Sequence, residues 1–113
     1  MSNERLVYLD NNATTRVAPE VVEAMLPCLT EHWGNPSSAY DMANAPARMI
    51  AEAREQVAKL IGADARNIVF TSCGTESNNA AIQSALHCNP TKRQVITSTV
   101  EHSANIQHCH QLE

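Results

Sequence analysis

Glycine is scarce in this chain: its 113 residues include three, at positions 34, 62 and 74. A dinucleotide-binding fingerprint needs three closely spaced glycines, and a Walker loop needs a second glycine followed by Lys and Ser or Thr. Neither can be assembled around Gly74. Aromatic residues are also few, four in all, within an ordinary 43% hydrophobic content. No apolar run approaches membrane-spanning length, and Met1-Ser2-Asn3-Glu4-Arg5 does not read as a signal peptide. Neither sign of charge dominates. Eight basic and twelve acidic residues give a net charge of −4 and are interspersed, so there is no basic patch for nucleic acid and no charged tail. The four cysteines, Cys28, Cys73, Cys88 and Cys109, have no paired Cys-x-x-Cys spacing, which argues against a zinc framework. The expectation is a cytoplasmic protein of one small domain at most, without membrane or nucleic-acid partners and with free thiols.

What is present is a run of short elements. Leu6-Val7-Tyr8-Leu9 reads as a strand or extended arm, ended by Asp10-Asn11-Asn12. Pro19 suits the first position of a helix, where no N–H is needed. Val21, Val22, Met25, Leu26 and Leu29 make its apolar face, and Pro27 predicts a kink or an early end. His32–Ser38 is loop chemistry. Ile50, Ala53, Val57, Leu60 and Ile61 recur at helical spacing, with Glu55 and Lys59 as a favourable i,i+4 pair and Gly62 as the terminator. A strand over 68–71, a helix over 76–88 and a β-branched strand over 95–99 then form a βαβ unit, with a further helix from about Ser103. A parallel sheet needs both faces covered. Two or three short strands with three helices do not complete one, so the elements read as part of a larger α/β domain.

Phe70-Thr71-Ser72-Cys73-Gly74-Thr75-Glu76-Ser77-Asn78-Asn79 is the segment that carries chemistry. An apolar run leads through a tight turn into a helix start. Such a start presents N–H groups without helical partners at the positive end of the macrodipole, and so suits an anion. Gly74 permits close approach of the backbone, and the Thr75 hydroxyl adds a donor. A structural turn is the alternative for a lone Gly-Thr pair.

Four segments in order, Tyr8-Leu9-Asp10-Asn11-Asn12-Ala13-Thr14-Thr15, Gly34-Asn35-Pro36-Ser37-Ser38, Thr71-Ser72-Cys73-Gly74-Thr75-Glu76-Ser77-Asn78 and Val100-Glu101-His102-Ser103-Ala104, closely resemble the N-terminal part of the NifS-type cysteine desulfurases. These are class V, fold-type I enzymes that use pyridoxal 5'-phosphate (PLP). Cys73 before Gly74-Thr75 is similar to the nitrogen-fixation branch. The resemblance implies an α/β fold, with an N-terminal arm and helices over 1–62 and the start of the large cofactor-binding domain over 63–113. It implies that Gly74 and Thr75 bind the PLP phosphate. It also implies that His102 is both the catalytic residue of this segment and the residue that stacks on the pyridine ring. His102 follows the C-terminal end of the 95–99 strand, where open α/β sheets place ligands; the bland reading of such a histidine is a surface or capping residue. For the complete enzyme the resemblance implies conversion of L-cysteine to alanine and an enzyme-bound persulfide. That sulfur then passes to an iron–sulfur scaffold protein, and the enzyme is a homodimer. Asp10–Thr15 matches the arm near the active-site mouth, although a turn with helix capping explains the same residues.

The sequence departs from that pattern near Tyr40 and Ala43, where the family usually has a histidine and a glycine. The family's Schiff-base lysine, pyridine-facing acid and nucleophilic cysteine are not matched here: Lys59 lies in an amphipathic helix and Lys92 in a turn, and none of the four cysteines takes the nucleophile's place. The 113-residue chain alone is therefore expected to be inactive. Alternatives are another class V enzyme (a selenocysteine lyase or aminotransferase), a truncated interaction partner, or a metal-binding module using His87, Cys88, His102, His108, Cys109 and His110. Against the last, adjacent helix residues point about 100° apart.

Overall fold

A computed structural model describes residues 7–113. Leu6, the expected start of the first strand, and residues 1–5 lie outside the described residues. The chain divides into two compact units, Met1–Asn67 and Ile68–Glu113.

In the first unit, α1 (Pro19–Thr30) begins at its proline, as a residue with a fixed helical φ and no N–H should. Pro27 does not end it. The helix continues to Thr30, and the Pro27 carbonyl accepts from the Glu31 amide at 2.9 Å and the His32 amide at 2.8 Å. One lost backbone donor is tolerated where the last turn is closed in this way and where Thr30 Oγ1 donates to the Leu26 carbonyl at 3.0 Å. A short 3-10 turn, Asp41–Ala43, leads into α2 (Asn44–Ile61). Gly62 stops α2 in the left-handed conformation, φ 67°. Its amide donates to Lys59 O at 3.4 Å and the Ala63 amide to Ala58 O at 2.8 Å, the paired bonds of a Schellman ending. Gly34 is buried against the 3-10 turn: a Cβ added there would lie 2.5 Å from the Met42 carbonyl oxygen. Close approach thus explains this glycine, and Asn35 shapes the rest of the loop by accepting from the Ser37 amide at 2.9 Å. Ala43, near which the family usually has a glycine, is 2% exposed and accommodates its methyl group.

The second unit holds α3 (Gly74–Cys88) and α4 (Ser103–Gln111), packed on each other. Asn78 Nδ2 donates to Asn105 Oδ1 at 2.8 Å, and Gln83 Nε2 lies 3.4 Å from Nε2 of the buried His108. Both pairs ascend together, from 78 to 83 and from 105 to 108. The two helices therefore run in the same direction, with their N-termini at the same end of the unit. α3 starts two residues earlier than the sequence predicts, with Cys73 in the N-cap place.

The expected βαβ unit is not formed: no strand occurs among the described residues, and 68–71 and 95–99 carry no regular secondary structure. The expectation rested on β-branched composition and crossover topology. A strand, however, exists only through its ladder, and short parallel strands need neighbours on which to pair. Val69 and Ile96 are left 77% and 89% exposed instead of lying under a sheet.

Candidate functional site

The start of α3 is braced by two side-chain straps. Cys73, in extended conformation, is the N-cap, and its carbonyl accepts the first helical bond from the Ser77 amide at 3.2 Å. Thr71 Oγ1 and Ser77 Oγ each lie 3.2 Å from the same carbonyl and 2.6 Å from each other, so that one hydroxyl donates to the other and the second donates to the carbonyl. Glu76, third in the helix, turns back so that Oε2 accepts from the Ser72 amide at 2.6 Å and the Ser72 hydroxyl at 2.7 Å. This is capping-box logic displaced by one residue. Those two donors hold the Glu76 carboxyl below its ordinary pKa.

With the loop fixed, Gly74 and Thr75 are the first two residues of α3, where backbone N–H groups have no helical acceptor. The Cys73 thiol reports the polarity of this end. Its pKa is lowered, chiefly by the Glu76 amide and then by the Ser72 hydroxyl, with smaller contributions from the Thr75 amide and hydroxyl. The start of α3 therefore stabilises negative charge on its own cysteine. Gly74 does not have a positive φ, and a Cβ at that position would meet nothing within 4 Å. Nothing in the chain itself demands glycine there. Helix-start amides without helical acceptors, with a hydroxyl donor beside them, are of the chemistry that suits an anion such as the phosphate of PLP.

His102 is the N-cap of α4. Its Nδ1 accepts from the Ala104 amide at 3.1 Å, and its carbonyl accepts from the Asn105 amide at 2.9 Å. The capping reading of this histidine is realised. It does not consume the residue: with Nδ1 as acceptor, the neutral ring carries its proton on Nε2, and the side chain is exposed. Because the helices run in the same direction, Gly74, Thr75 and His102 lie at the same end of one unit.

A cleft of about 320 Å³ along the two helices is lined by Asn78, Ala81, Ile82, Val95, Glu101 and Asn105, among others, and includes none of Gly74, Thr75 and His102. The larger cleft, about 940 Å³, is bordered by Leu86 and Leu112 at the other ends of α3 and α4 and includes none of the three predicted site residues. Asp10, in the first unit, forms a turn whose carbonyl accepts from the Ala13 amide at 3.1 Å, as its Asn-rich sequence predicts. The metal-binding alternative finds no geometry: among the described residues no group of three His, Cys, Asp or Glu side chains could hold an ion. His108 is buried against α3, whereas His110 Nδ1 lies 3.8 Å from Glu113. No helix among the described residues is long and apolar enough to cross a membrane.

Sequence reasoning passed over Thr71, Ser72 and Ser77, although a Glu three residues after the N-cap is a recognisable signal. It also passed over Asn78, Glu101 and Asn105; the Asn78–Asn105 bond spans 27 residues and has no local signature.

The aminotransferase class-V family model matches residues 7–113. A cysteine desulfurase of Trichormus azollae is 56% identical over 108 residues, covering 96% of this chain and 27% of that protein. The cysteine desulfurase NifS of Azotobacter vinelandii is 53% identical over 104 residues, covering 91% and 26%. The cysteine desulfurase IscS of Dictyoglomus turgidum is 50% identical over 111 residues, covering 97% and 28%. Among solved structures, a NifS-like protein superposes with a TM-score of 0.86 at 41% identity, over 94% of this chain and 29% of that one. The chain thus spans about 27% of the length of the first of these curated relatives. With a matching family model over nearly its whole length and a shared fold, the chain belongs to the class-V aminotransferase family.

Proposed function

We propose that this chain is the part of a PLP-dependent, fold-type I cysteine desulfurase that anchors the cofactor phosphate and faces its ring. The observation that carries the reading is the pair of co-directional helix starts, one bearing Gly74 and Thr75 and the other capped by His102. Relatives named cysteine desulfurase at 50–56% identity support the choice of reaction. PLP, when bound, supplies an electron sink for bond cleavage at the substrate. The α3 amides and the Thr75 hydroxyl hold its phosphate. His102 presents a planar imidazole to the planar ring and keeps an Nε2 proton for exchange with the reacting groups. The Ser72–Glu76 and Thr71–Ser77 straps hold the loop so that these donors need no rearrangement.

On this reading the complete protein takes L-cysteine, releases alanine, and carries the sulfur as a persulfide destined for an iron–sulfur scaffold. It acts as a cytoplasmic homodimer. The region from residue 63 onward begins its cofactor-binding domain. The identities to NifS and IscS, 53% and 50%, are close to each other; Cys73 before Gly74 favours the nitrogen-fixation role.

The test is PLP addition to the protein that carries this chain, followed by assay of sulfide release from L-cysteine. A visible absorbance band and sulfide release above the free-PLP background are expected. A protein that stays colourless refutes the cofactor reading. Colour without sulfide release points instead to another class V reaction, such as a selenocysteine lyase or aminotransferase.

A further inference from the structure

The structure assigns Asn105 a positioning role, which rests on the PLP reading above: with Asn78 and Glu101 it forms a polarised side-chain relay that fixes His102 relative to the phosphate-holding start of α3. Asn78 lies one turn into α3 from Gly74, and Asn105 lies in the first turn of α4, its amide bonded to the His102 carbonyl at 2.9 Å. Asn78 Nδ2 donates to Asn105 Oδ1 at 2.8 Å, and Asn105 Nδ2 donates to Glu101 Oε2 at 3.1 Å. Ser98 Oγ donates to Glu101 Oε1 at 3.2 Å. Glu101 immediately precedes His102. The relay therefore runs from α3, through α4, to the residue beside the histidine.

Its direction is chemically determined. An ionised carboxylate only accepts hydrogen bonds. Glu101 consequently requires the Asn105 NH₂ to face it, which leaves the Asn105 carbonyl for Asn78 and requires Asn78 to donate. A side-chain amide whose orientation would otherwise be open is fixed by the acid at the end of the chain. A second side-chain link between the helices, Gln83 to His108 at 3.4 Å, lies further along both. Loss of the Asn78–Asn105 bond lets the helix starts separate while the helices stay joined beyond them. A displacement of about 1 Å in a group facing the reacting centre can cost on the order of 100-fold in rate. Asn105 and Asn78 touch neither phosphate nor ring in this reading; they act through His102.

Isosteric variants separate this role from packing. Asn78→Asp places an acceptor where a donor is needed, so the Asn105 NH₂ can satisfy the introduced carboxylate or Glu101 but not both. Adding Glu101→Gln reverses the relay. The introduced glutamine NH₂ then donates to the Asn105 carbonyl, the Asn105 NH₂ donates to the introduced aspartate, and Ser98 keeps an acceptor in the glutamine carbonyl. The visible circular dichroism of bound PLP reads the surroundings of the ring. In the protein carrying this chain, N78D should change that band and lower kcat about tenfold with KM within about twofold. The double variant N78D/E101Q should return both toward wild type. Thermal unfolding without PLP should show the same order, lowered in N78D and recovered in the double variant. Wild-type PLP binding with N78D silent in the dichroism overturns the positioning role. A double variant no closer to wild type than N78D overturns the relay. Failure of the wild type to take up PLP overturns the cofactor reading and the positioning role together, and the unfolding comparison still decides the relay itself.

Discussion

The Cys73 thiol sits among donors that a phosphate would use, and so serves as a reporter for the start of α3. Its folded pKa is lowered, first by the Glu76 amide. For an acid with a depressed pKa, the stabilising contribution is present above the unfolded value and lost as pH falls through the folded one. Alkylation of Cys73 by iodoacetamide, followed residue by residue by mass spectrometry, should therefore have its pH midpoint below the ~8.5 of a free thiol. PLP should slow that reaction and move the midpoint up, because a bound phosphate opposes a nearby thiolate. A profile indifferent to PLP would argue against anchoring at this helix start. Thr75→Val tests the other donor. Losing a hydrogen bond to a charged group costs about 1.5–3 kcal/mol, so retention of PLP on dialysis should weaken by at least roughly tenfold; unchanged retention would remove Thr75 from the site. His102→Ala should instead reduce turnover more than PLP retention. It also removes the α4 cap, worth about 1 kcal/mol, so its Tm must be read alongside. The histidine's place as the α4 cap was one of two uses open in the sequence, since capping and facing a ring both fit one imidazole at a helix start.

At the scale of elements, Gly34 makes the sharpest prediction. An added methyl group would meet the Met42 backbone carbonyl at 2.5 Å, and backbone cannot swing aside as a flexible side chain can. Gly34→Ala should destabilise by about 1–3 kcal/mol, read as a lower denaturation midpoint with PLP affinity per folded molecule unchanged. No sequence signal marks this requirement, because it arises from a neighbour eight positions away. By contrast α2 was legible from Ile50 to its end, though not at its start at Asn44: its apolar spacing defined it, and Gly62 both looked like a terminator and has the left-handed φ of one. α1 was legible at Pro19; at Pro27 the helix runs on for three more residues, and two later amides share the Pro27 carbonyl. Gly74 was legible as a helix start that permits close approach of the backbone; its φ is not positive and an added Cβ would meet nothing within 4 Å. The segments 68–71 and 95–99 have the composition of strands without forming any. Composition describes a preference, and pairing partners decide whether it is met. The Asn78–Asn105–Glu101 relay was invisible for the same reason: its members are polar residues whose contact is tertiary.

Across the whole molecule the dominant quantity is uncovered apolar surface. Among the described residues the buried apolar side chains are Ala43, Pro46 and Ala58, each small, so little hydrophobic stabilisation opposes the conformational entropy of roughly a hundred residues. The α1 face keeps Met25 and Leu29 53% and 72% exposed, and α2 leaves Leu60 85% exposed. Contiguous faces of that kind favour association. The 113 residues studied alone should therefore unfold without a cooperative monomeric transition, and light scattering should report association at micromolar concentration. They should also release no sulfide from L-cysteine with PLP and a reductant beyond the free-PLP background, because Lys59 lies within α2 and Lys92 beyond α3, neither at the helix starts that hold Gly74, Thr75 and His102. The two measurements are independent. A sharp transition with a monomeric sedimentation profile would mean that the exposed faces are satisfied in some other arrangement, and sulfide turnover would mean that one of these lysines reaches the cofactor after all.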